Sequence, residues 1–255
     1  MSLLLKSHYL LNDFTVDSFP PFPCPTCGNV MRLEKKGMLT AEAGESYRSF
    51  DVGAIDQPDR FGFFSACLKC DAHECYEVVV VSGEDHLQEI ERYDGTPDFE
   101  TLYSIKYVQP TVHIFPISES CEGLVREHLL RSFSLFWSAP SAAGNSLRCA
   151  IESLMDHLKV RKQVINRFNK VQKFTLHARI EEWGRNDLKN KELSKLLLAI
   201  KWIGNAGSHK ATLTREDVIK AYQLTEHVFS EVFDKKTDLL KKLATRVNQK
   251  KGPTK

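Results

Sequence analysis

Two Cys-x-x-Cys pairs, Cys24-Pro25-Thr26-Cys27 and Cys67-Leu68-Lys69-Cys70, constrain the front of this chain more than any other feature. A tight Cys-x-x-Cys turn lays two thiolates along one edge of a tetrahedron, and two such turns close the four-coordinate shell that structural zinc prefers. The pairs therefore predict one structural zinc on Cys24, Cys27, Cys67 and Cys70, standing in for the core that a small subdomain lacks. His73 and Cys75 are near enough in sequence to replace a ligand. A redox role for a single pair requires a βαβ setting that the flanking residues do not offer, and four unrelated free thiols is the remaining alternative. The 39 residues between the pairs exceed the spacing of an ordinary zinc ribbon and imply an inserted hairpin or loop.

Prolines at 20, 21, 23 and 25 deliver the first pair in extended or turn conformation, because each disfavours helix at the residue before it. After the second pair, Cys75-Tyr76-Glu77-Val78-Val79-Val80-Val81-Ser82-Gly83 reads as a β-branched strand ended by glycine. Residues 1–17 form a lead-in, 18–83 a β-rich zinc-ribbon-like module, and 84–117 a linker or strap. A helical domain over 118–247 and a basic tail over 248–255 complete the expected order, so the fold class is mainly α with a small β-rich module in front.

A chain of 255 residues with 42% hydrophobic content can bury a normal core. Its mean hydropathy is negative, no apolar run approaches a membrane span, and the apolar stretch near Met1 is too short for a signal peptide. These features predict a cytoplasmic protein with no membrane partner, and an odd count of seven cysteines fits a reducing compartment. Cys149 falls within an apolar helical pattern and reads as a small buried hydrophobe. Charge is unevenly shared: residues 1–117 carry 9 Lys+Arg against 18 Asp+Glu, and residues 118–255 carry 26 against 15. The basic back half suits contact with polyanions.

Helices are expected at about 119–137, 140–159, 174–184, 190–209 and 214–246, with Thr214 and Asp217 as a capping box and Pro140 in a first turn. The fourth ends in Ala199-Ile200-Lys201-Trp202-Ile203-Gly204-Asn205-Ala206-Gly207-Ser208-His209. There Lys201, Asn205 and His209 recur at spacing four, so a helix stacks a cation, an amide and an imidazole on one side. Gly204 and Gly207 give up helix propensity and predict close approach by another helix. Arg148 and Glu152, also four apart, offer polar groups to the same seam, or simply pair with each other. Trp183 and Trp202 read as core residues. Lys159, Arg161, Lys162, Arg167, Lys170 and Lys173 form a run without any acid, interleaved with Phe168 and Phe174. Such a run either contacts phosphates and stacks on bases or is a solvated face with its phenylalanines buried.

Together with Leu147–Leu158, His113–Ser120 and Leu213–Val218, the 199–209 run resembles an uncharacterised bacterial family, itself similar to a branch of the HEPN superfamily of small helical domains found in bacterial and phage-defence proteins. The resemblance spans about 113–233. It implies a HEPN-like helical bundle and a nucleic-acid-linked binding or sensing module in an anti-phage defence system, with RNA or DNA and a defence-system protein as possible partners. Many HEPN domains are metal-independent ribonucleases whose arginine, polar residue and histidine recur across a two-fold homodimer. On that pattern His209, Asn205, Lys201, Arg148 and Glu152 are the catalytic candidates, the histidine moving protons and the cation neutralising the phosphate. Gly204 occupies the place of the usual arginine, and lysine lacks its bidentate fork. The resemblance thus implies binding more than cleavage, with ribonuclease and structural adaptor as the alternatives.

Overall fold

The structure is a computed structural model and describes residues 6–93, 95–165, 167–206 and 212–252, apart from the Lys35 side chain. The chain divides into two compact units, one of Ser2–Phe115 with Leu130–Ala143 and one of Pro116–Leu129 with Gly144–Lys255.

The first unit is built on an antiparallel sheet. After the short helix α1 (Ser7–Leu11) come β1 (Met31–Leu33), β2 (Leu39–Glu42), helix α2 (Gly44–Asp51) and the long strands β3 (Phe61–Cys70), β4 (Val78–Glu91) and β5 (Pro97–Gln109). The order is β1-β3-β4-β5, with β2 sharing the β1 edge of β3. Side chains alternate across a strand, and the sequence obeys this period. On β3, Phe64, Ala66 and Leu68 are buried beside Val79 and Val81 of β4 and Ile105 and Val108 of β5. Aromatic rings close over this face: Phe14 stacks on Tyr103 at 5.9 Å, Phe64 meets Tyr103 edge-on at 5.1 Å, and Phe22 meets Trp137 at 5.7 Å.

Residues 84–117, expected as a linker, are a correction to the sequence reading. Most of them are the far half of β4 and all of β5, paired from Glu91↔Pro97 back to Val80↔Gln109. Acidic residues break the apolar alternation here because this end of the sheet is half exposed, so the hydrophobic period fades while the ladder continues.

The expected helices appear: α3 (Gly123–Leu135) and α4 (Pro140–His157), each with residues in both units, then in the second unit α5 (Leu176–Gly184), α6 (Leu188–Ala206), α7 (Arg215–Phe229) and α8 (Lys236–Lys250). Helix α6 begins two residues before the expected 190, and its expected residues 207–209 lie outside the described ones. Between α4 and α5 lies a two-stranded ribbon, β6 (Gln163–Ile165) and β7 (Val171–Lys173). Leu147, Ile151 and Leu154 of α4, Ile180 and Trp183 of α5, Leu197 and Ile200 of α6 and Tyr222 of α7 are buried. Each contributes roughly 1.5–3 kcal/mol relative to exposure. The capping box at Thr214 and Asp217 forms as expected. Three expectations fail. The helix predicted over 214–246 stops at Asp234, where Lys235 takes a left-handed φ of 50°, and α8 runs into the segment expected as a tail. Trp202, expected in the core, is exposed. None of the helices among the described residues is long and apolar enough to cross a membrane.

Candidate functional site

Four thiols converge in the sheet unit: Cys24, Cys27, Cys70 and Cys75 have all their sulfur atoms within 4.8 Å of one another. Cys27 Sγ lies 3.4 Å from Cys70 Sγ, and Cys24 Sγ lies 3.6 Å from Cys75 Sγ. A tetrahedral thiolate shell with metal–sulfur bonds of about 2.3 Å has S···S edges of about 3.8 Å, so the group can hold a metal ion.

Local geometry explains the convergence. Between Cys24 and Cys27 the chain turns back on itself, the Gly28 N–H donating to Cys24 O at 2.9 Å and the Cys24 N–H to Asn29 O at 2.6 Å. On the other side Cys70 ends β3, and the Ala72 N–H donates to its sulfur at 3.4 Å. The turn then returns Cys75, whose N–H reaches Ala72 O at 3.2 Å. Thr26 donates to Glu77 and Arg32 pairs with Asp71, latching the two ligand loops together. Hydrogen bonds from the Asn29 backbone and then its side chain draw the Cys27 thiol down to about 6. Hydrogen bonding to Cys27 in turn holds Cys75 up to about 12. Only a cation allows all four sulfurs to carry charge at so short a range.

Cys67, predicted as the third ligand, is a correction: it is not a member of the group, and Cys75 takes its place. The reason is the strand. Cys67 and Cys70 are three apart on the continuous β3, and a period of two sends their side chains to opposite faces. Cys-x-x-Cys is a metal knuckle only where the backbone turns. His73 is exposed and also outside the group.

In the helical unit, α4 and α6 approach closely at Gly204, as that glycine predicts. A Cβ on Gly204 would lie 2.7 Å from Gly144 O and 2.9 Å from Arg148 Cβ. Arg148 donates to Glu152 at 2.8 Å, forming the intrahelical pair that the sequence allows. Lys201 Nζ sits 3.5 Å from the centre of the Trp202 ring, and Asn205 is half-buried near the end of α6. Gly207 and His209 lie outside the described residues.

The basic run folds into the β6–β7 ribbon and its flanks. Lys159, Arg161, Lys162, Arg167, Lys170 and Lys173 are all exposed. Arg161 pairs with Glu182 at 2.6 Å and Lys162 with Asp156 at 2.8 Å. Phe168 at the turn is 68% exposed with the Arg167 guanidinium 4.9 Å above its ring, whereas Phe174 is half-buried beneath Arg161 at 5.5 Å. Behind the ribbon, Arg179 is only 6% exposed and donates to Asp156 at 2.6 Å and to Val160 O at 2.9 Å. Sequence reasoning missed this pair, for want of any pattern joining residues 23 apart.

Two family models match the chain. Residues 131–250 match a domain of unknown function (DUF4145), and residues 12–111 match a second domain of unknown function (DUF8608). No curated protein and no solved structure matches it.

Proposed function

We propose that this chain is a nucleic-acid-binding module whose helical unit grips phosphates through the β6–β7 ribbon and whose sheet unit is stapled by one structural zinc. The observation that carries the reading is the ribbon, which exposes six cations on and beside two short strands with Phe168 68% exposed among them. Cations neutralise phosphates and release counterions, while an exposed ring stacks on any base. The resemblance to HEPN-like domains supports RNA within that class and a two-fold homodimer as the assembly. It also supplies the defence setting. Four thiolates at tetrahedral spacing favour zinc over the oxygen-loving magnesium and calcium. A role in cleavage is disfavoured by Gly204, because the space an arginine needs is already filled by Gly144 and Arg148.

Fluorescence anisotropy with labelled single-stranded RNA, single-stranded DNA and duplex DNA across a salt series tests the proposal. Binding that weakens steeply with salt is expected, and salt-insensitive binding or none at all refutes it.

A further inference from the structure

The inner face of the sheet changes character along its length. Around Phe64, Ala66 and Leu68 it is apolar, but one end turns polar, where Gly62, Asp85 and Tyr103 occupy neighbouring strands in register. A cavity of about 330 Å³ opens there, with Glu42, Arg60, Phe61, Asp85, Leu87 and Tyr103 in its lining. That volume is at the small end of those that hold metabolite-sized ligands.

The charges in this lining do not cancel. Arg60 engages both carboxylate oxygens of Glu42, which accounts for one cation and one anion. Asp85 is left over, and its buried Oδ2 has no hydrogen-bond partner among the described residues. Burial pushes the Asp85 carboxyl above its usual range, with the neighbouring His86 opposing the shift. An unpartnered acceptor costs stability, and because Oδ2 is covered, a group in the cavity meets this half-buried carboxylate through its charge and its other oxygen. Gly62 makes the arrangement possible: a Cβ there would lie 2.6 Å from Ala41 O and 2.9 Å from Asp85 Oδ1.

We propose that this cavity binds a small organic cation, a primary ammonium or guanidinium on a short alkyl stem, with Asp85 as its counter-ion. The lining fits that class better than it fits a metal ion. A metal asks for several charged or carbonyl oxygens, whereas only one carboxylate here is unpaired. Phe61, Leu87, Tyr103, Thr40 and Thr101 make the rest of the lining a mixture of aromatic, apolar and hydroxyl-bearing residues, a composition suited to a cation on an alkyl stem. The site is separate from both the thiol group and the ribbon.

Calorimetric titration of the full zinc-loaded chain with n-butylguanidinium and n-butylammonium tests the proposal, with n-pentanol as a neutral control. Saturable binding of at least one cation is expected, with a Kd of about a millimolar for so small a ligand. The isosteric Asp85→Asn should weaken it at least tenfold, and Thr101→Phe, which fills the cavity while keeping the carboxylate, should abolish it. If Asp85→Asn loses its near-ultraviolet dichroism, Thr101→Phe decides alone. No saturable binding of either cation, equal binding of pentanol, or undiminished binding by the folded variants overturns the assignment.

Discussion

Cys27 Sγ and Cys70 Sγ stand 3.4 Å apart although 43 residues separate them, and the pair joins the proline-rich entry loop to the end of the central strand β3. Losing this tie should loosen the sheet unit first. The double substitution Cys24→Ser and Cys27→Ser is expected to remove the metal and lower the thermal midpoint of the sheet unit by several degrees, leaving helical dichroism in place. Calorimetry that shows a single unshifted transition in the variant would argue against a stapling role.

The ribbon gives a second prediction. Replacing both Arg167 and Lys170 by glutamate should reduce the salt slope of nucleic-acid binding by about two and the affinity by at least tenfold at moderate salt. Phe168→Ala should cost roughly 1–3 kcal/mol on single strands and much less on duplex. Equal binding by wild type and the charge-reversed variant in anisotropy places the interface elsewhere.

How far these features could be read in advance depended on their range. Helix α7 declares itself through a local capping box, and the Gly204 packing through helix spacing, because both signals lie within a few residues. Cys67 reads as a member of the thiol group in place of Cys75 because Cys-x-x-Cys looks identical in a turn and in a strand, and only pairing of β3 with its neighbours reveals which one it is. The β4–β5 hairpin was hidden by its acidic solvent face, and the Asp85 cavity by the need to know which residues of three strands lie side by side.

Asp156 supplies a pH prediction. Burial raises its carboxyl, but hydrogen bonds from Lys162 and Arg179 outweigh this and leave it below the usual carboxylate range. A depressed folded value means stability that is present above the unfolded pKa and is lost as pH falls through the folded one. Asp156→Asn should therefore cost about 1 kcal/mol at neutral pH, since it leaves the buried Arg179 without a counter-ion whose own 38% exposure screens the pair, and the difference from wild type should vanish in acid. Denaturant melts at neutral and acid pH measure both; a difference independent of pH contradicts the assignment.

At the α4–α6 crossing, Gly204→Ala should destabilise the helical unit by about 1–3 kcal/mol despite alanine's better helix propensity, because the new methyl meets backbone at Gly144. A chemical melt in which the variant is more stable than wild type would mean that the helices part easily.

Metal content of two single variants tests the central claim most directly. Cys67→Ser and Cys75→Ser, purified side by side and analysed by inductively coupled plasma mass spectrometry, should separate cleanly. Full zinc, about one per chain, is expected in Cys67→Ser, with strongly reduced zinc in Cys75→Ser. Loss of zinc from Cys67→Ser with retention in Cys75→Ser would contradict the geometry in which β3 carries Cys67 away from Cys24, Cys27 and Cys70 and the following turn brings Cys75 to them.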